Sequence, residues 1–522
     1  MRDTVSVDVA AADRVWPRLS GVVAVAAALA TGEFLSGLIE GAPSPVVAVG
    51  DMVIDFTPGD LARQAIAVFG RNDKPALVIG TTLIALLIGS ALGRKAAENR
   101  LVGDVGFVGF GVLGIFASAR LADGTPAAVI PLVFAVVAGI ATLRVLLFLA
   151  PDEGAAAQPR GSHRSVPGAG EAERRVFLGF AGAAAVAAMV LAAGGRRLRD
   201  RFSAEKAREQ VRLTAADRPA APLPGDVDFG IDGLSSFVTP NSDFYRIDTA
   251  LTIPQVDPAS WRLRVKGMVD QELEFTYDDI LAMPMDEVDV TISCVSNEVG
   301  GGLVGNARWL GTRIDRILDD AGVDPNATQL VGRSVDGYTC GFPVAQTRDR
   351  DAILAVGMNG EPLPVVHGFP VRMIVPGLYG YVSATKWLSE LELATFDDFD
   401  QYWVKRGWVE IAPVRTQCRI DTPRGAAPAG KVALAGVAWA PHIGISKVEV
   451  RVDGGSWQEA QLAGVPGDDT WRQWLFEWDV GPGEYVVEAR ATDGEGVTQT
   501  DERAAPFPSG ATGYPARVMR IG

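Results

Sequence analysis

Five apolar runs in the first 195 residues constrain this chain more than anything else in it. They are Leu19–Ile39, Ala76–Leu92, Val102–Ala119, Ala127–Leu149 and Val176–Ala193. Each is close to the about 20 residues a helix needs to cross a hydrocarbon core of roughly 30 Å. Backbone in lipid must satisfy its own hydrogen bonds, so such runs fold as helices. Residues 1–195 are therefore expected to form a membrane domain of about five transmembrane helices. A sixth run, Val46–Ile54, is too short to span and reads as a re-entrant segment or an external loop. Residues 196–240 turn charged and then proline-rich, the composition of a linker.

Basic residues in short loops mark the cytoplasmic side. "GRKAAENR" after the second run and the basic stretch Arg160–Arg175 before the fifth put the N-terminus inside and everything after Ala193 outside the cytoplasmic membrane. "GGRRLRDR", Gly194–Arg201, runs against that orientation. The fifth run opens with "ERRVFLGF", Glu173–Phe180, which resembles the twin-arginine export pattern; two ordinary membrane-flanking arginines read equally well. That route exports folded domains, so it predicts a cofactor in the domain behind it. Glu33 and Arg144 lie inside apolar runs. Charge in lipid is costly, which makes them candidates for a quinone or ion role, against simple snorkelling to the interface.

The formal net charge of −15 offers no basic footprint for nucleic acid. The three cysteines, Cys294, Cys340 and Cys418, form no CxxC, CxxCH or cluster-binding set. The three histidines, His163, His367 and His442, all lie outside the apolar runs, so a bis-histidine haem in the membrane is not expected. Any redox chemistry needs a cofactor other than haem or an iron–sulfur cluster.

Residues 241–412 read as an α+β domain with a mixed sheet. "WRLRVKGMV" and "VDVTISC" alternate as strands, "TYDDILAMP" is a short helix, and "LGTRIDRILDDAGV" puts Ile314, Ile317 and Leu318 on one helical face. Residues 413–522 carry short strands with Gly/Asp turns at regular spacing, the pattern of an all-β sandwich. Its tryptophans, Trp439, Trp457, Trp471, Trp474 and Trp478, suit core packing better than a carbohydrate platform.

"VTISCVSNEVGG" sets Cys294 where an alternating strand stops before a polar, glycine-rich turn. A free cysteine is most often a small buried hydrophobe. The turn, however, suits close approach of a ligand to backbone, and a thiolate is a ligand for metals that accept sulfur. One thiolate cannot hold a metal alone, so the remaining ligands would come from a sulfur-bearing cofactor.

"CVSNEVGG…ARWLGTRIDRIL", "AVGMNGEPLPVVHGFPVRMIVPGLYGYVSATKW" and "YWVKRGW" resemble the sulfite oxidase family of molybdopterin enzymes, from about Thr239 to Trp408. A similar branch is the periplasmic methionine sulfoxide reductase catalytic subunit. The resemblance implies that Cys294 ligates molybdenum beside the dithiolene of one pterin. It implies pterin and phosphate contacts from His367, Arg372 and Lys386, with Ala384 and Thr385 beside the lysine. Asp336, and Asn241, Phe244, Tyr245 and Arg246 in "TPNSDFYRID", are further implied contacts. It also implies an immunoglobulin-like C-terminal domain, which in relatives is a homodimer interface. Ile247, Glu298 and Val299 stand where the resemblance leads one to expect sulfite-binding arginines, and Asp400 where it places a tyrosine, with Tyr402 nearby. The expected function is thus a membrane-anchored molybdenum–molybdopterin oxidoreductase outside the cytoplasmic membrane. It would transfer an oxygen atom to or from a small S- or N-oxide type molecule. Electrons would be exchanged with a membrane-bound partner, a quinone or a haem protein. Alternatives are a sulfite dehydrogenase and a non-catalytic, cofactor-binding membrane sensor or scaffold.

Overall fold

The computed structural model describes residues 15–39, 42–58, 72–121, 126–151, 169–199 and 203–522, with isolated positions between 61 and 69. The N-terminal residues and most of the basic stretch used above for orientation lie outside the described residues. The chain divides into two units, residues 1–203 with 250–252, and residues 204–249 with 253–522.

The first unit contains α1 (Val15–Leu38), α2 (Pro45–Phe56), α3 (Asp73–Glu98), α4 (Arg100–Leu121), α5 (Pro126–Leu149) and α6 (Ala169–Arg199). Among the described residues, five of these helices, all but α2, are long and apolar enough to cross a membrane, and each covers one of the five runs. The sixth run is α2, a 12-residue helix too short to span, started by Ser44, whose hydroxyl accepts from Val47 N. Small residues let these helices approach closely. A Cβ on Gly21 of α1 would lie 1.9 Å from the Gly89 carbonyl oxygen of α3, and one on Gly37 would lie 2.1 Å from that of Gly195 in α6. Both charges singled out in the runs are paired. Arg199 donates to Glu33 at 3.0 Å and Ser44 bonds the other Glu33 oxygen. Arg144 donates to Asp104 at 2.5 Å.

The second unit begins with α7 (Ala204–Gln210). The following stretch, read above as linker, is bonded along its length. Asp217 accepts from Met285 N at 2.8 Å, Arg218 O from Glu287 N at 2.9 Å, and Phe229 N donates to Gln473 at 2.8 Å. Then come β1 (Arg262–Gly267), β2 (Leu273–Thr276), α8 (Tyr277–Ala282), β3 (Asp286–Ser293), β4 (Val304–Arg313), α9 (Ile314–Ala321), β5 (Gln329–Ser334), β6 (Thr339–Pro343), β7 (Ile353–Met358), β8 (Glu361–Pro362), β9 (Arg372–Ile374), α10 (Gly380–Ser383) and β10 (Leu388–Ala394). One sheet runs β2-β1-β10-β5-β6 and is mixed, because β1 and β10 are parallel. The other runs β3-β4-β7-β8, with β9 also on β7. Local chemistry sets the ends: Thr276 and Asp279 form a capping box at α8. Ile314, Ile317, Leu318 and Ala321 of α9 are buried, and Gly322 closes the helix at φ 69°.

The C-terminal strands are β11 (Gln417–Thr422), β12 (Gly430–Trp439), β13 (Ile445–Val452), β14 (Gln458–Glu459), β15 (Gln461–Leu462), β16 (Arg472–Val480), β17 (Gly483–Asp493) and β18 (Ala516–Ile521). They form two four-stranded antiparallel sheets, β11-β12-β16-β15 and β14-β13-β17-β18. Ile420, Leu434 and Trp474 of one share a core with Val448, Ala489 and Met519 of the other. Trp439, Trp471 and Trp474 are buried, as core packing requires. Trp439 and Trp471, however, belong to the core of the preceding domain, where Trp471 Nε1 donates to Phe237 O at 2.8 Å. The C-terminal strands and the sheets before them are therefore joined through shared apolar packing within one unit. Trp471→Ala is expected to cost about 3–5 kcal/mol in denaturant unfolding of the β-rich unit, with a single transition in the wild type.

Candidate active site

Strand β3 is buried along its last four residues, Val290–Ser293. It stops where its hydrogen bonds pass to a turn. Cys294 N donates to Leu303 O at 2.9 Å, and Asn297 N to Cys294 O at 3.0 Å. The Asn297 carboxamide oxygen accepts from Leu303 N at 2.8 Å. Gly300 takes φ 73° to let the chain reverse. This turn holds Cys294 at 8% exposure on the wall of a pocket. Burial pushes its thiol above the ordinary value, partly offset by hydrogen bonding to Ser296. The thiol is therefore neutral on its own and gives up its proton on binding a metal.

The opposite wall comes from the loop before β9 and the segment before β10. His367 Nε2 donates to Asn241 O at 3.0 Å, because a carbonyl can only accept. Burial and the nearby Arg372 charge lower the imidazole to about 4, so it is neutral at pH 7. Arg372, only 6% exposed, donates through Nη1 to His367 O at 3.3 Å, and its Nε is buried without a partner. No carboxylate among the described residues pairs with it. Burial lowers it to about 10, which leaves it charged. Gly368 lets these segments meet: at φ 117°, a Cβ there would lie 3.1 Å from Lys386 Cα and 3.2 Å from Arg372 Cβ.

Lys386 Nζ donates to Asp248 at 2.9 Å and stands 4.5 Å from the Trp387 ring centre. Burial lowers it to about 8. Arg246 donates to the same Asp248 oxygen at 2.7 Å. Burial, with the Asp248 charge adding to it, raises the Asp336 carboxyl.

The pocket brings together Tyr245, Cys294, Asp336, His367, Arg372, Ala384 and Lys386 among the residues expected from sequence. Asn241, Phe244, Arg246 and Thr385 do not line it. Asn241 is tied by its side chain to Glu361 and Asn359, and reaches the site only through its carbonyl. Phe244 packs beneath, edge-on to His367 at 5.6 Å. Arg246 acts through Asp248, and Thr385 is fully buried. Neither Asp400 nor Tyr402 is on the wall; Tyr402 packs 5.6 Å from Tyr338, which is. Sequence reasoning missed Asp248, Tyr338, Tyr381, Trp403 and Trp408, all of which line the pocket. Asp248, Tyr381 and both tryptophans fall within the quoted motifs, but nothing local to them says which way they turn.

A buried guanidinium that no carboxylate among the described residues pairs, lining the same pocket as a cysteine thiol, fits an anionic group that carries sulfur and a metal. The matching family model is the oxidoreductase molybdopterin binding domain, over residues 250–403. Mitochondrial sulfite oxidase of Mus musculus is 31% identical over 294 residues, 47% of this chain and 53% of that protein. The uncharacterized oxidoreductase YuiH of Bacillus subtilis (strain 168) is 33% identical over 152 residues, 29% of this chain and 74% of that protein. The sulfane dehydrogenase SoxCD from Paracoccus pantotrophus aligns at 22% identity and a TM-score of 0.48, over 55% of this chain and 84% of that one, too low a likeness to argue from. Residues 250–403 thus form a molybdopterin-binding domain of the oxidoreductase type. The chain belongs to the sulfite oxidase family of molybdopterin-binding oxidoreductases. It spans about half the length of the sulfite oxidases it matches.

Lys386 is charged below about pH 8 and loses its proton above it. Uptake of a phosphate-bearing cofactor by the cofactor-free protein is expected to slow as pH rises through 8. Lys386→Arg, whose charge persists to higher pH, should extend uptake to pH 9, and Lys386→Met should abolish the pH step; cofactor fluorescence after gel filtration measures all three.

Proposed function

We propose that this chain is a membrane-anchored molybdenum–molybdopterin oxidoreductase that transfers an oxygen atom to or from a small uncharged S- or N-oxide type substrate. The observation that carries the reading is the Cys294 thiol facing the same pocket as the unpaired Arg372. Cys294 sulfur would ligate the metal beside one pterin, while Arg372 and Lys386 take the phosphate, as fork and point charge. When bound, this cofactor supplies a two-electron metal centre able to accept or donate an oxygen atom. No haem or iron–sulfur cluster enters the scheme.

The protein's own residues do the rest. Neutral His367, its Nε2 proton engaged by Asn241 O, keeps Nδ1 as an acceptor. Tyr338 and Tyr381 spend their hydroxyls on Tyr381 O and Val409 O, each at 2.6 Å. With Trp403 and Trp408 they form an aromatic wall that excludes water and adds no charge for a dianion. The Tyr245 hydroxyl, which bonds no other described residue, would donate to the substrate oxygen; burial keeps that phenol protonated.

Around this core we read α1 and α3–α6 as the anchor, with the arginine pair of α6 as an export signal that places the catalytic unit outside the cytoplasmic membrane. The C-terminal sandwich is taken as immunoglobulin-like and as a homodimer surface, and electrons as passing to a separate membrane partner. A second reading, sulfite dehydrogenase, is favoured by the identity to sulfite oxidases. It predicts sulfite-dependent dye reduction, which the first reading does not.

Elemental mass spectrometry of full-length protein matured with the cofactor available should find about one molybdenum per chain, lost in Cys294→Ser. No molybdenum in the wild type would sink the proposal, and bound cofactor without turnover over a broad oxide panel would favour a sensor. Tyr245→Phe should keep the metal and lower kcat by about 100-fold with dye-linked S-oxide reduction as the assay.

A further inference from the structure

A second cavity lies within the helical unit, with a volume of about 180 Å³. Helices α1, α3, α4 and α5 surround it, and α2 closes one side through Pro45, Val46 and Val49. The space exists because small residues line it, Ala85 on α3 and Gly111 on α4 among them. It is not slack packing: a Cβ on Gly111 would lie 2.4 Å from the Val136 side chain, so α4 and α5 already touch there. The wall is apolar with two exceptions, the adjacent hydroxyls of Thr81 and Thr82. Thr82 donates to Val78 O at 2.8 Å and keeps lone pairs to accept. Thr81 takes no side-chain partner among the described residues. Phe107 and Phe110, 6.4 Å apart and edge-on, add an aromatic surface.

Size and polarity select an occupant. An apolar cavity of about 150 Å³ stays dry and admits benzene. One of about 180 Å³ has room for a single six-membered ring with small substituents. Two hydroxyls on one helix suit a ring that carries oxygen. We propose that this cavity binds the head ring of an isoprenoid quinone, with the Thr81 hydroxyl donating to a ring carbonyl oxygen and Thr82, its own proton held by Val78 O, accepting from a ring hydroxyl of the reduced form. The choice of a quinone over a lipid acyl tail, which shares the apolar chemistry, rests on the oxidoreductase reading above. The electron count matches: a quinol and an oxide give a quinone, the deoxygenated product and water, two electrons and two protons passing from the first to the second.

The test uses full-length protein in lipid nanodiscs and decyl-benzoquinone as the probe. About one equivalent per chain should bind, and excess palmitate should not displace it. Thr81→Val with Thr82→Val keeps the shape and should weaken binding about tenfold, as loss of hydrogen bonds to the ring predicts. Ala85→Phe fills the cavity and should abolish binding; should that variant fail to fold, the valine pair still decides. Absence of saturable binding, or full displacement by palmitate together with unchanged affinity in the valine pair, overturns the quinone assignment. Molybdenum content and dye-linked turnover, measured on the same samples, are expected to be unchanged in both variants. Loss of quinone binding with molybdenum retained therefore tells against the cavity alone, and quinone binding without molybdenum against the catalytic reading alone.

Discussion

The β-rich unit is organised around a buried positive charge that it does not neutralise. Arg372 has no carboxylate partner among the described residues and an orphaned Nε, and it stands 5.3 Å from the Trp309 ring. An uncompensated buried charge costs several kcal/mol. The surrounding structure has to be stable enough to carry that cost. Both sheets, the shared core with the C-terminal strands and the bonded stretch 211–240 supply the stability. The same charge acts on its neighbours: it adds to the burial that keeps His367 neutral, and to the burial that lowers Lys386. A ligand that brings phosphate repays the desolvation already spent, which is why one guanidinium can make a pocket selective for an anionic cofactor.

Asp248 divides the remaining cations. By accepting from both Lys386 and Arg246 it leaves Arg372 as the site's uncompensated charge. The wall of Tyr338, Tyr381, Trp403 and Trp408 then adds an uncharged aromatic surface to the pocket. In the helical unit the same economy of charge holds. Glu33 meets Arg199 and Ser44, and Arg144 meets Asp104, so the two charges that looked exceptional in the sequence are each bonded.

Much was legible in the sequence because it is local. A hydrophobic run long enough to span reads as a helix wherever it lies, and all five did. Alternation marked β3, the 3.6-residue period marked α9, and a long motif marked Cys294, His367, Arg372 and Lys386 as members of one site. The short run Val46–Ile54 was harder. Its length excludes a span, but the Ser44 cap that makes it a helix acts through a hydrogen bond that composition does not reveal.

What only the tertiary structure decided is direction and partnership between distant segments. Asn241 and Phe244 share a motif with Tyr245, yet only Tyr245 reaches the pocket wall, because Asn241 is drawn to Asn359 and Glu361 and Phe244 into the core over Gly305. Trp471 belongs by sequence to the sandwich and by packing to the domain before it. The aromatic mouth joins residues from β5–β6, α10 and the segment before β11, which no periodicity links. The sequence by itself determined which elements form and which chemistry-bearing residues are present, since propensity and hydrophobic period act over a few residues. Which of them face one another was decided by burial of two sheets against a common core, an interaction between positions more than a hundred residues apart.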